Sequence, residues 1–217
     1  VSTITGKKLG KTDAENGCGS KLEVLQNIRE IFYRNVEEYV DQMTAAANAA
    51  SEAIGLLKVP FLSAMMGGVE TGIDTRDTKK QGTKYNGSGC LIHGLSVVAD
   101  SFVAIDTLLR ERPEDADRLV EALRTNFEHD PEMHQYLLSC KKFGNNETVV
   151  DEEARCIAEK VSDIVSSRKN YLGNPFRSDF AWEQHRTEEN QEICLDTEWI
   201  RYTGRHIRDW ASGCCRE

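Results

Sequence analysis

Lys84, Tyr85 and Asn86 put an amine, a phenol and an amide side by side, in a run whose glycines stand at Gly82, Gly87 and Gly89. Glycine at that density allows sharp turns or close backbone approach. Set at a strand end of an α/β fold, such a loop faces a ligand, and its polar side chains line the pocket. His93, a few residues further on, adds an imidazole that can take or give a proton near neutral pH. A second reading stands beside this one: the loop residues only secure the loop against its neighbours, and His93 is a hydrogen-bonded wall residue. Gly67–Asp74 forms another glycine-rich loop upstream. Within it Glu70 and Asp74 could pair as carboxylates, although solvated loop residues fit that position better. Neither loop has the spacing of a phosphate-binding fingerprint.

The remaining chemistry-bearing residues exclude more than they offer. Seven cysteines occur without a C-x-x-C pair, so no metal site or redox pair is expected, and a reducing cytoplasm is the expected compartment. Cys90, inside the glycine-rich stretch, could be a nucleophile but fits better as a small buried side chain. A net charge of −9, with no basic patch interleaved with aromatics, argues against nucleic acid and anionic membrane surfaces. No apolar run approaches the length that crosses a bilayer. The chain begins at Val1 rather than Met, which is expected of a fragment or a processed product.

The elements that must position these residues read as helices. Ser20-Lys21-Leu22-Glu23 has the form of a capping box. From it an apolar stripe, Leu22, Leu25, Ile28, Phe32, Val36, Tyr39, Val40, Met43 and Ala47, predicts one helix to about Gly55, with Arg29 and Arg34 on its solvated face. Val59–Met66 is short, apolar and broken by Pro60, its methionines expected to fill a core gap. The run from Val97 to Ile105 has helical spacing. Further helices are predicted from Pro113 to about Phe127, from Asp130-Pro131-Glu132 through Leu138, and from Thr148 or Asp151 through Val165. His129 and His134 are expected to be exposed. Short strands are expected near Lys84–Tyr85 and around Phe176.

Several of these stretches resemble one family. Gly82-Thr83-Lys84-Tyr85-Asn86-Gly87 followed by Val98-Ala99-Asp100-Ser101-Phe102-Val103-Ala104-Ile105 is similar to the G-G-[AT]-K-Y-N loop and V-A-D-S-L-x-A-I helix of glycyl radical enzymes of the pyruvate formate-lyase type. Pro60–Met65 and Gly68–Asp74 resemble the segment before that loop. Lys142-Phe143-Gly144-Asn145-Asn146 with Val150-Asp151 resembles the family's K-Y-G-N-D and V-D stretch. The likeness runs in order from about Thr5 to about Arg177. It implies a helix-rich α/β fold, part of a ten-stranded α/β barrel. Glycines and alternating charge mark 1–19 as a polar leader, the resemblance implies a barrel segment over 20–178, and 179–217 is expected to be a divergent or frame-shifted tail.

The resemblance implies radical chemistry, in which a stored glycyl radical activates a cysteine that then acts on a small-molecule substrate. Neither the cysteine loop nor the R-V-x-G-Y glycine loop of the family occurs here, so no catalytic residue is assigned, and Cys18 and Gly204 are not promoted to those roles. The radical would lie outside this segment, installed by a radical-SAM activating enzyme, with no cofactor bound directly. The implied partners are the remainder of the parent enzyme, itself compatible with a homodimer, and that activase. The chain would supply barrel wall and part of the substrate pocket of a formate acetyltransferase-like enzyme or bond-cleaving lyase, and would not turn over substrate alone. The alternative is a non-catalytic, helix-rich interaction module or degenerate remnant. The tail lacks the glycine- and serine-rich strand and T-P-D-G turn of the family. A one-base reading-frame slip would account for this, since Trp182-Glu183 read one base later encodes glycine. A genuinely divergent extension is the rival account, and weak packing is expected under both.

Overall fold

A computed structural model describes residues 20–83 and 87–180. The helices are α1 (Lys21–Gln26), α2 (Ile28–Ile54), α3 (Pro60–Ser63), α4 (Val69–Thr71), α5 (Leu95–Glu111), α6 (Ala116–Arg124), α7 (Pro131–Ser139) and α8 (Thr148–Ser166). Two strands, β1 (Ser88–Ile92) and β2 (Phe176–Phe180), pair in parallel from Ser88 opposite Phe176 to Ile92 opposite Phe180. The architecture is helix-rich α/β with a small parallel sheet. The described residues form two compact units, one from 20–35 with His93–Ala158, the other from Val36–Ile92 (without 84–86) with Glu159–Phe180.

In the first unit Ser20 caps α1, its hydroxyl accepting from the Glu23 amide at 3.1 Å. The expected single helix is interrupted at Asn27, which leaves helical geometry while its side-chain amide donates to the Glu23 carbonyl at 2.9 Å. Asparagine competes well for local backbone bonds, and apolar spacing does not register that competition. Leu25 joins Ile105, Leu108, Leu119, Leu123, Phe127 and Met133 in a buried core. Side chains this size each contribute about 1.5–3 kcal/mol when fully buried. Asp130 caps α7 by accepting from the Met133 amide at 3.0 Å, and the same carboxylate takes two bonds from Arg118 at 2.6 and 2.8 Å.

Arg29, expected on a solvated face, is instead half-buried. It forks to Asp106 at 2.9 and 2.6 Å and to Glu153 at 2.9 and 3.0 Å, with its guanidinium 4.9 Å from the Phe102 ring centre. His129 is exposed, but His134 is half-buried and stacks on Phe127 at 4.8 Å between ring centres.

In the second unit the strands are short. β2 lies where a strand is expected, around Phe176. β1 begins at Ser88, downstream of Lys84–Tyr85, and passes through Gly89 in the stretch that reads as loop. Glycine weakens a strand but does not forbid it, and pairing along β2 supplies the missing preference. Met65 and Met66, expected in a core, stand largely in solvent. Their segment leaves helical geometry at Gly67, where φ is +96°.

Among the described residues no helix is long and apolar enough to cross a membrane.

Candidate functional site

The candidate site is the glycine-rich connection into β1. Lys84, Tyr85 and Asn86, its polar centre in the sequence, lie outside the described residues. The backbone on either side of them is held by identifiable contacts.

Upstream, Gly82 is buried against the carbonyl of Asp74. A side chain built there would stand 2.7 Å from the Asp74 carbonyl carbon and 3.0 Å from the Ile73 oxygen, so only glycine fits. The Asp74 carboxylate accepts from the Val59 amide at 2.8 Å and the Arg76 amide at 2.9 Å. The Arg76 amide, followed by the Val59 amide, holds this carboxyl below the usual aspartate range. With both oxygens engaged, Asp74 is a backbone cap rather than half of an acid–base pair with Glu70, which is exposed. Thr71 completes the clasp, its hydroxyl 3.4 Å from the Gly82 carbonyl.

Downstream, Ser88 opens β1, and its hydroxyl accepts from the Asn170 side chain at 3.2 Å. Asn170 is buried, and its carbonyl oxygen accepts from the amides of Leu172 and Asn174, each at 3.0 Å. One side chain therefore shapes the turn into β2 and pins the start of β1. Asn170 was not singled out from the sequence. The turn composition of Asn170-Tyr171-Leu172-Gly173-Asn174-Pro175 marks the place, but its partner is distant in the chain.

Gly87 and Gly89 do not share the constraint on Gly82. Neither has a positive φ, and a side chain added at either meets nothing within 4 Å. Gly87 stands at the amino end of β1, while sites on parallel sheets collect at carboxyl ends. His93 immediately follows the carboxyl end of β1 and is exposed. At about 3.3 Å per residue, the five-residue strand separates the entry at Gly87 from the exit at Ile92 by roughly 17 Å.

Cys90 is buried in β1 with its sulfur 3.9 Å from that of Met43. Burial raises its pKa, which keeps it a thiol and a poor nucleophile, as the packing reading of the sequence expects.

A second constellation lies in the other unit. Asp100 on α5 accepts from the Phe143 amide at 2.7 Å. Lys142 donates to the carbonyls of Leu137 and Cys140 at 2.7 and 3.0 Å. Burial pushes the Asp100 carboxyl up to about 6 against the opposing pull of the Phe143 amide and Lys142, and burial lowers the Lys142 amine. Neither residue is a candidate in the sequence, although both stand inside motifs that carry the family resemblance.

These groups contain no nucleophile poised on a base. Their hydrogen bonds shape backbone.

The model of the pyruvate formate lyase-like family matches residues 1–182. The chain belongs to the pyruvate formate lyase-like family. Three solved structures are similar to this family member. The glycyl radical enzyme of Archaeoglobus fulgidus is 28% identical with a TM-score of 0.64, over 71% of this chain and 20% of its own. The B12-independent glycerol dehydratase of Clostridium butyricum, in its glycerol-bound form, is 26% identical with a TM-score of 0.69, over 80% of this chain and 22% of its own. A Roseburia inulinivorans structure concerned with 1,2-propanediol dehydration is 26% identical with a TM-score of 0.62, over 71% of this chain and 20% of its own. This pyruvate formate lyase-like chain thus spans about a fifth of the length of those structures. No curated protein matches it.

Proposed function

We propose that this chain is the part of a glycyl radical lyase that builds barrel wall and one side of the substrate pocket, and that it is inactive alone. The observation that carries this reading is its likeness, over a fifth of their length, to a glycyl radical enzyme and to two structures concerned with glycerol or 1,2-propanediol dehydration. The substrate is then a small polyol or related molecule, and the reaction a dehydration or other carbon–heteroatom cleavage rather than acyl transfer.

Lys84, Tyr85 and Asn86 are the proposed substrate-facing residues. The described backbone on either side is held, the Gly82 carbonyl by the Thr71 hydroxyl at 3.4 Å and the Ser88 hydroxyl by Asn170 at 3.2 Å. Because the stretch leads into the amino end of β1, the assignment rests on the likeness of Gly82–Gly87 to the family's loop. His93, beyond the other end of β1, is proposed as a wall residue.

The chain's own residues do not suit the radical itself. Cys90 is a buried thiol against Met43, and no glycine stands in an R-V-x-G-Y context. In this reading the glycyl radical and the reactive cysteine belong to the remainder of a cytoplasmic parent enzyme, and the radical-SAM activase is a separate partner. The barrel segment expected over 20–178 is extended to Phe180, where β2 ends, and we assign 1–19 to a leader and 181–217 to a separate tail.

The test is substitution in the parent enzyme. Tyr85→Phe and Asn86→Ala should each lower kcat/KM for a diol by about 10- to 100-fold, as loss of a polar contact to a reacting substrate does. Radical content by electron paramagnetic resonance should remain unchanged. Unaltered kcat and KM in both variants would remove the loop from the pocket.

A further inference from the structure

Between the end of α2 and α4 the usual arrangement of a protein surface is inverted. Leu56, Leu57, Phe61, Met65, Met66 and Val69 are from 49% to 83% exposed. Lys58 and Glu70 are the only charged residues from Ile54 to Glu70.

The polar groups around this segment are spent on its own backbone. Asp74 holds the Val59 and Arg76 amides, Ser63 accepts from the Thr75 amide at 2.9 Å, and Arg76 donates to the Leu57 carbonyl at 3.3 Å. Two glycines allow the close fit. A side chain at Gly68 would meet the Ser63 carbonyl carbon at 2.7 Å, and one at Gly55 the Arg76 oxygen at 2.9 Å. The segment thus keeps a defined shape through hydrogen bonds while presenting its apolar side chains outward. A contiguous run of that kind is what a buried interface displays when its partner is removed.

Resting on the reading of this chain as part of a glycyl radical enzyme, we infer that the apolar face of Leu56–Val69 is the seat of the remainder of the parent polypeptide. The occupant follows from length. The face lies within the family match over residues 1–182, and the similar solved chains are only about a fifth covered, so most of the polypeptide that this segment is built against lies outside it.

The experiment is hydroxyl-radical footprinting of the isolated chain and of the parent polypeptide, expressed from the gene region extended beyond both ends of this sequence. Phe61 and Met65 should be modified about tenfold more slowly in the parent, as side chains that leave solvent are. Equal modification in both, in a parent that still forms a glycyl radical after activation, overturns the inference and leaves the proposed function standing. A flanking region with no further glycyl radical enzyme sequence removes both. Sedimentation velocity covers the remaining case. If the isolated chain is a dimer in which Met65 is already protected, and Leu57→Glu with Phe61→Glu disperses it, the occupant is a second copy and the inference fails.

Discussion

The Asp100 carboxylate accepts a hydrogen bond from the Phe143 amide at 2.7 Å, across 43 residues of sequence. It joins the V-A-D-S-F helix to the K-F-G-N-N loop, two stretches that separately mark the family. The loop needs such a hold, since Gly144 and Asn146 both take positive φ, at +87° and +57°.

The burial of Asp100, which outweighs that bond, is expected to leave a signature in the pH dependence of stability. Burial raises the Asp100 pKa from 3.8 in the free side chain to about 6. The folded chain therefore binds the proton more tightly than the unfolded one. This favourable term is complete below the usual aspartate range and is lost as pH rises through about 6. Asp100→Asn keeps an acceptor for the Phe143 amide and carries no proton. Urea unfolding of wild type and variant should diverge between about pH 4 and pH 6, the wild type losing up to about 3 kcal/mol relative to the variant. Parallel curves would show that Asp100 titrates normally.

The loop glycines should separate sharply. Gly82→Ala drives a methyl into the Asp74 carbonyl and should cost about 1–3 kcal/mol. Gly87→Ala and Gly89→Ala enter open space without a positive φ, and should change stability by less than about 0.5 kcal/mol. Thermal unfolding of the three variants checks the order, and equal losses would contradict the close approach at Gly82.

Asp74→Ala strands the Val59 and Arg76 amides. Because the folded carboxyl sits below its usual range, its contribution is present above that range and is lost as pH falls through it. Limited proteolysis should cut the 55–83 region faster in Asp74→Ala than in wild type at neutral pH, with the difference narrowing in acid. Identical cleavage rates at neutral pH would show that the two caps do not hold the region.

Arg29 bonds Glu153, whose side chain is 18% exposed, and Asp106, which is 52% exposed. Exposed pairs are screened and weak, while partly buried ones are less so. A double-mutant cycle should give about 1–2 kcal/mol for Arg29 with Glu153 and under about 1 kcal/mol for Arg29 with Asp106. Salt should erode the second more than the first. The reverse order would mean that solvent reaches both carboxylates equally.

Local patterns carried much of the helical layout. The Ser20 cap, the start of α7 at Pro131, the run of α5 and the end of α2 at Ile54 are all legible, because caps, Pro placement and apolar spacing act within a few residues. The break at Asn27 was not legible, because a side-chain bond to a neighbouring carbonyl competes with a stripe that continues unbroken in the sequence. From sequence, Gly82, Gly87 and Gly89 of the candidate site carry one and the same role, and the close approach at Gly82 came only from the structure. The lack of one at 87 and 89 likewise required knowledge of what surrounds them.

By itself the sequence determined the family, through motifs kept in order, together with the helix-rich character. Tertiary structure alone decided that Arg29 bridges two carboxylates, that Asp100 holds Phe143, that Asn170 pins Ser88, and that the segment around Phe61 faces outward. The physical reason is distance along the chain. Helix caps and periodicity are written in neighbours, whereas burial and hydrogen-bond partners are set by residues tens of positions away, whose approach no local pattern encodes.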